Sequence, residues 1–141
     1  ATVYFPNNRL TALDLSKNTA LATLACSRNQ LTALDLSQST AITVLYCNNN
    51  QLAALDLSRN TALTELYCNG NRLTTLDLSR NTELTKIYCD DNPLTELNIS
   101  NLSKIEEIVF GDNPEINVIA NSQTVVSDEV RHYMDGKRKT P

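Results

Sequence analysis

The sequence predicts an all-β-rich solenoid, a right-handed coil of about 21 residues per turn with two parallel sheets and little or no helix outside a C-terminal cap. Three observations predict it. The chain repeats itself: "LTALDLSKNTALATLACSRNQ" at 10–30 is followed by close copies at 31–51, 52–72 and 73–93 and by a drifted copy at 94–114. Each copy splits into two halves with apolar-x-apolar cores, such as Leu55-Asp56-Leu57 and Leu66-Tyr67-Cys68. Such a core turns two side chains to one face and the middle one to the other, as a strand does. Each half then reaches an Asn, whose side chain bonds nearby backbone and tolerates unusual φ/ψ, so it marks a turn.

The elements follow in order. Residues 2–9, "TVYFPNNR", match the second half of a unit, with Phe5 in the cysteine slot and Asn8 in the turn slot, so the chain opens on a partial repeat over 1–9. A coil this short has no room for two strands, two turns and a regular helix of about 10 residues. The L-D-L half is therefore expected to be a second strand. No coil buries enough apolar surface to stand alone, so stability comes from stacking and the end coils need caps. The solenoid is expected over 1–121. Residues 122–141 form a cap or tail: Ser127 can cap a short helix with Asp128 and Glu129 in its first turn, Val130, Tyr133 and Met134 on one face, and Gly136 past its end.

The half-units match L-x-x-L-x-L-x-x-N from Leu10 to Asn113 with few departures. They resemble the leucine-rich repeat family, and more narrowly the bacterial 21-residue (IRREKO-type) subclass in which a cysteine-bearing segment alternates with an L-x-x-L-D-L segment. The departures, Ser39 and Leu102 for Asn, Asn98 for Asp, and Phe5 and Phe110 for Cys, cluster toward the ends. The resemblance implies an extracellular or cell-surface protein, and partner contacts made by the outward positions of one strand.

Composition narrows the function classes. A formal net charge of −4 and a pI near 4.9, with basic residues scattered apart from Lys137, Arg138 and Lys139, argue against nucleic-acid binding. No apolar run approaches a membrane span. Nothing in the sequence assembles an enzyme or a cofactor site. The one histidine, His132, lies in the terminal segment, no Ser/His/Asp or Cys/His set is available, and three glycines build no phosphate-cradling loop.

Cys26, Cys47, Cys68 and Cys89 recur once per coil. Zinc sites draw ligands in close pairs such as C-x2-C, which this spacing lacks. Neighbouring coils bring Cα atoms within reach of a disulfide, but in-register parallel strands aim the Cβ vectors the same way. The expectation is a buried ladder of free thiols acting as small hydrophobes. Asp14, Asp35, Asp56 and Asp77 form an outward row on the other sheet, where Ser16, Ser37, Ser58 and Ser79, water or cations can offset like-charge repulsion. Calcium held there, or by Asp90, Asp91 and Asp112, is the alternative reading of these carboxylates.

One face changes from copy to copy. Beside the cysteines run Tyr4, Ala25, Tyr46, Tyr67, Tyr88 and Val109, flanked by Thr2, Thr23, Val44, Glu65, Lys86 and Glu107 and by Ser27, Asn48, Asn69, Asp90 and Gly111. Tyrosine offers rigid area and a hydroxyl, so Tyr46, Tyr67 and Tyr88 with Glu65, Lys86, Asn48, Asn69 and Asp90 are the candidate binding residues. The competing reading is that the tyrosines only stack on one another and shield the sheet. The expected function is non-catalytic recognition of a protein partner. A structural spacer in a larger surface protein and carbohydrate binding are the alternatives, and open sheet edges allow end-to-end self-association.

Overall fold

The cysteine-bearing halves become strands. The computed structural model describes residues 1–111 and 116–120, with eight three-residue strands: β1 (Thr2–Tyr4), β2 (Thr23–Ala25), β3 (Val44–Tyr46), β4 (Glu65–Tyr67), β5 (Lys86–Tyr88), β6 (Glu96–Asn98), β7 (Glu107–Val109) and β8 (Asn117–Ile119). All strands run parallel, in a six-stranded sheet ordered β1-β2-β3-β4-β5-β7 and a two-stranded sheet β6-β8. The register is one coil at every step, Leu24 opposite Leu45, Leu45 opposite Leu66 and Leu66 opposite Ile87. No helix occurs among the described residues. The proposed cap over 122–136 lies outside them.

The core is a stack of aliphatic layers. Leu24, Leu45, Leu66 and Ile87 point inward from the sheet and meet Leu15, Leu36, Leu57 and Leu78 from the opposite wall, all in one buried cluster that includes the four cysteines. Each interior coil is covered above and below, which is why a 141-residue chain without tryptophan can exclude water from its centre.

An asparagine ladder ties the coils together at the turn after the cysteine. Asn71 Nδ2 donates to the carbonyls of Cys68, at 2.9 Å, and of Cys47 one coil back, at 3.1 Å, while its Oδ1 accepts the Leu52 amide at 3.1 Å. Asn29, Asn50 and Asn92 repeat the pattern. Both ends of the side chain are satisfied by backbone that would otherwise be buried without a partner. Asn7, Arg28, Asn49, Gly70 and Asp91 reverse the chain just before, with φ from 53 to 66°. Asn and Gly adopt this left-handed conformation readily, and Arg28 does not.

The second sheet is narrower than one strand per coil. Among the described residues it forms only between β6 and β8, and the L-D-L segments of the first four coils make no ladder. A ladder would bring Asp14, Asp35, Asp56 and Asp77 to about 4.8 Å spacing with their charges aligned. The sheet closes where the row becomes Asn98 and Ile119, and where Ile99, Ile116 and Val118 raise the β-branched content. The two phenylalanines in the cysteine slot also part company: Phe110 is buried at 2% exposure, whereas Phe5 is 47% exposed beside the edge strand β1.

Candidate binding face

The outward face of the six-stranded sheet collects every candidate residue. Tyr46, Tyr67 and Tyr88 occupy successive strands in register, each half-buried. Their rings stack, with centroids 4.6 Å apart for Tyr46–Tyr67 and 4.8 Å for Tyr67–Tyr88 and planes inclined by 20° in both pairs. The stack follows from strand spacing, since identical planar groups carried one strand apart can satisfy each other's faces.

Carboxylates hold the phenols. Tyr67 Oη donates to Glu65 Oε2 at 3.0 Å, and Tyr88 Oη donates to Glu107 Oε1 on the next coil. Burial, then the Glu65 bond, pushes the Tyr67 phenol well above its usual range, while for Tyr88 the Glu107 bond is the leading cause of a rise. Lys86 Nζ lies 3.8 Å from Glu65 Oε1, across one strand step. On the other flank, Asn48 Oδ1 accepts the Ser27 hydroxyl at 2.6 Å, Asn69 is half-buried and its carbonyl accepts the Asn49 amide at 2.8 Å, and burial raises the Asp90 carboxyl.

Glu107 stands outside the candidate set although it orients Tyr88; the signal for it is its place one coil after Lys86. A threonine ladder also joins the coils. Thr43 Oγ1 donates to the Ala22 carbonyl at 3.2 Å, Thr64 to Thr43 at 3.0 Å and Thr85 to Thr64 at 3.1 Å, lining the entry to the strands. These residues recur at the coil period, but nothing in that recurrence tells a hydroxyl that joins coils from one that faces water.

The thiols are core. Cys26, Cys47, Cys68 and Cys89 are free and buried, and burial pushes Cys26 and Cys89 up to about 12 and the other two well above their ordinary value. A thiol held neutral is a poor nucleophile and a poor metal ligand. On the opposite wall, each aspartate is capped locally: Asp14 Oδ1 accepts the Ser16 amide, with the same 2.9 Å bond at Asp35, Asp56 and Asp77. The serine hydroxyls and amides hold these carboxyls below their usual range. A groove of about 290 Å³ opens between two coils there, lined by Leu34, Leu36, Asp35, Asp56 and Arg59 among others.

Comparison with known proteins meets this geometry. A family model described as leucine-rich repeats (2 copies) matches residues 40–81. The functional domain of InlJ from Listeria monocytogenes, described as including a cysteine ladder, superposes with a TM-score of 0.74 at 35% identity over 87% of this chain and 30% of that one. The chain is a leucine-rich repeat protein. Two further solved structures share its fold: an internalin (InlF) of Listeria monocytogenes, with TM-score 0.73, 24% identity and coverage of 79% of this chain and 35% of that one, and a Leptospira interrogans leucine-rich repeat protein, with TM-score 0.72, 19% identity and coverage of 94% and 40%. This leucine-rich repeat chain thus spans 30 to 40% of the length of these proteins. Comparison with curated proteins returns no match. Among its described residues, no helix is long and apolar enough to cross a membrane.

Proposed function

We propose that this chain is a non-catalytic recognition module, and that a protein partner docks on the sheet face carrying Tyr46, Tyr67 and Tyr88. The observation that carries the reading is a half-buried tyrosine stack on an outward sheet face whose flanking rows change chemistry between coils, from Val44 and Asn48 to Lys86 and Asp90. Uniform rows, such as the aspartates or the asparagine ladder, meet a structural demand repeated in every coil. Recognition needs variation along the face. Leucine-rich repeat domains commonly serve as protein-interaction modules, and the internalin likeness supports placement at a bacterial surface or in the secreted fraction.

The test is a Tyr46→Ala/Tyr67→Ala/Tyr88→Ala variant, checked by circular dichroism for an intact fold and compared with wild type for proteins captured from host-cell extract. Loss of the specific captured set supports the face. An unchanged set, with the fold preserved, sinks it. The spacer reading draws on a different observation: the Tyr67 and Tyr88 hydroxyls are already satisfied within the chain. It predicts the unchanged set.

A further inference from the structure

Resting on that binding reading, we infer that the partner contributes a lysine- or arginine-rich segment and lays it across the C-terminal half of the face, from Tyr67 to Val109. Charge divides the face in two. Its first half is lined by the uncharged Thr23, Val44, Tyr46, Ser27 and Asn48, and at the turn position that Asp91 holds later it carries the cation Arg28, which repels a basic segment. Its second half carries Glu65, Glu107 and Asp90, all half-buried, and the exposed Asp91, against the single ammonium of Lys86. Lys86 is engaged by Glu65, and among the described residues no cation pairs with Glu107, Asp90 or Asp91. Carboxylates half-withdrawn from water act through a lower effective dielectric than exposed ones and reward an incoming cation more.

Hydrogen-bond capacity points the same way. The Tyr67 and Tyr88 hydroxyls are spent inward on Glu65 and Glu107, so this half offers a partner acceptors and few donors. Guanidinium and ammonium groups bring donors only. An anionic partner meets like charge, and a neutral sugar finds both faces of the Tyr67 ring covered by Tyr46 and Tyr88. The first half, with Arg28 and no such carboxylate, then fixes which way along the sheet the segment runs.

The probe is a fluorescein-labelled peptide of alternating Arg and Ser, read by anisotropy beside its Gln/Ser and Glu/Ser counterparts. The Arg peptide should bind wild type and the other two should not. Binding should fall steeply between 0.1 M and 1 M salt, where the Debye length shrinks from about 10 to about 3 Å. Glu65→Gln/Glu107→Gln, which keeps an acceptor for each phenol, should weaken it by about tenfold. Asp56→Asn/Asp77→Asn, which removes the same charge from the opposite wall, should change it by less than about twofold. Equal losses from the two pairs would mean attraction to net charge and overturn the inference, as would no binding of the Arg peptide. If the triple tyrosine variant loses a captured partner that Glu65→Gln/Glu107→Gln still holds, the face stands and the cationic segment falls.

Discussion

Asn71 grips Leu52 across the coil boundary: its Oδ1 accepts the Leu52 amide at 3.1 Å while its Nδ2 bonds the carbonyls of Cys47 and Cys68. Asn71→Ala orphans a buried amide and removes two further bonds, so it should cost about 3 kcal/mol. Asn8, exposed and bonded only to the nearby carbonyls of Phe5 and Pro6, is the matched control and should cost less than about 1 kcal/mol. Urea midpoints at constant slope separate the two; equal costs would show that the ladder's buried position carries no special weight.

Alkali should unfold the chain through its core. The cysteines ionise near 9.0 when unfolded, and burial raises Cys26 and Cys89 to about 12 in the fold. A raised folded value means stability is fully present below the unfolded value and is lost as pH rises toward the folded one. Each thiol should therefore remove about 1.4 kcal/mol per pH unit between these limits. Cys26→Ala/Cys89→Ala should flatten the decline of stability from pH 9 upward, measured by urea titration at each pH. A decline of unchanged slope would contradict it.

Arg28 holds a left-handed backbone, φ 55°, at the position that Asn49 and Gly70 fill in later coils. Arg28→Asn relieves that strain without disturbing the bond from the residue 28 amide to the Asn48 carbonyl. A gain of about 0.5 to 1 kcal/mol, seen as a rise of a few degrees in Tm, is expected. Gly70→Val is the reverse experiment. Its Cβ would approach Asn49 Oδ1 to 2.4 Å in a conformation β-branched residues resist, and Tm should drop.

Neutralising the aspartate row should widen the second sheet. Asp14→Asn/Asp35→Asn/Asp56→Asn/Asp77→Asn keeps an Oδ1 for each serine amide, as Asn98 does for Ser100 at 3.0 Å, and removes the aligned charges. Slower hydrogen exchange at the Leu15, Leu36, Leu57 and Leu78 amides would report new ladder bonds. Unchanged exchange would place the cause in the low β propensity of Ala12, Ala33 and Ala54 instead.

Much of this was legible in the repeat. A fixed period with apolar-x-apolar cores forces parallel strands in register, so the inward cysteines, the outward tyrosines and the asparagine turns could be read from single coils. The eight candidate residues do share one face, because strand alternation is a local rule. What single coils could not reveal were events between them: the threonine hydroxyls reaching one carbonyl back, and Glu107 holding Tyr88 from the next strand.

The two asparagine rows make the same division. By sequence they are equivalent turn markers, yet Asn71 is satisfied at both ends while Asn60 and Asn81, only 1% and 0% exposed, donate through Nδ2 and leave Oδ1 without a partner among the described residues. The sequence by itself determined the period, the sidedness of each strand and the identity of the core, because these depend on chain geometry within one turn. Only the tertiary structure decided which rows close into ladders and which stay apart. That outcome depends on whether charges, hydroxyls and amides brought one coil apart repel or bond, and a linear chain does not express it.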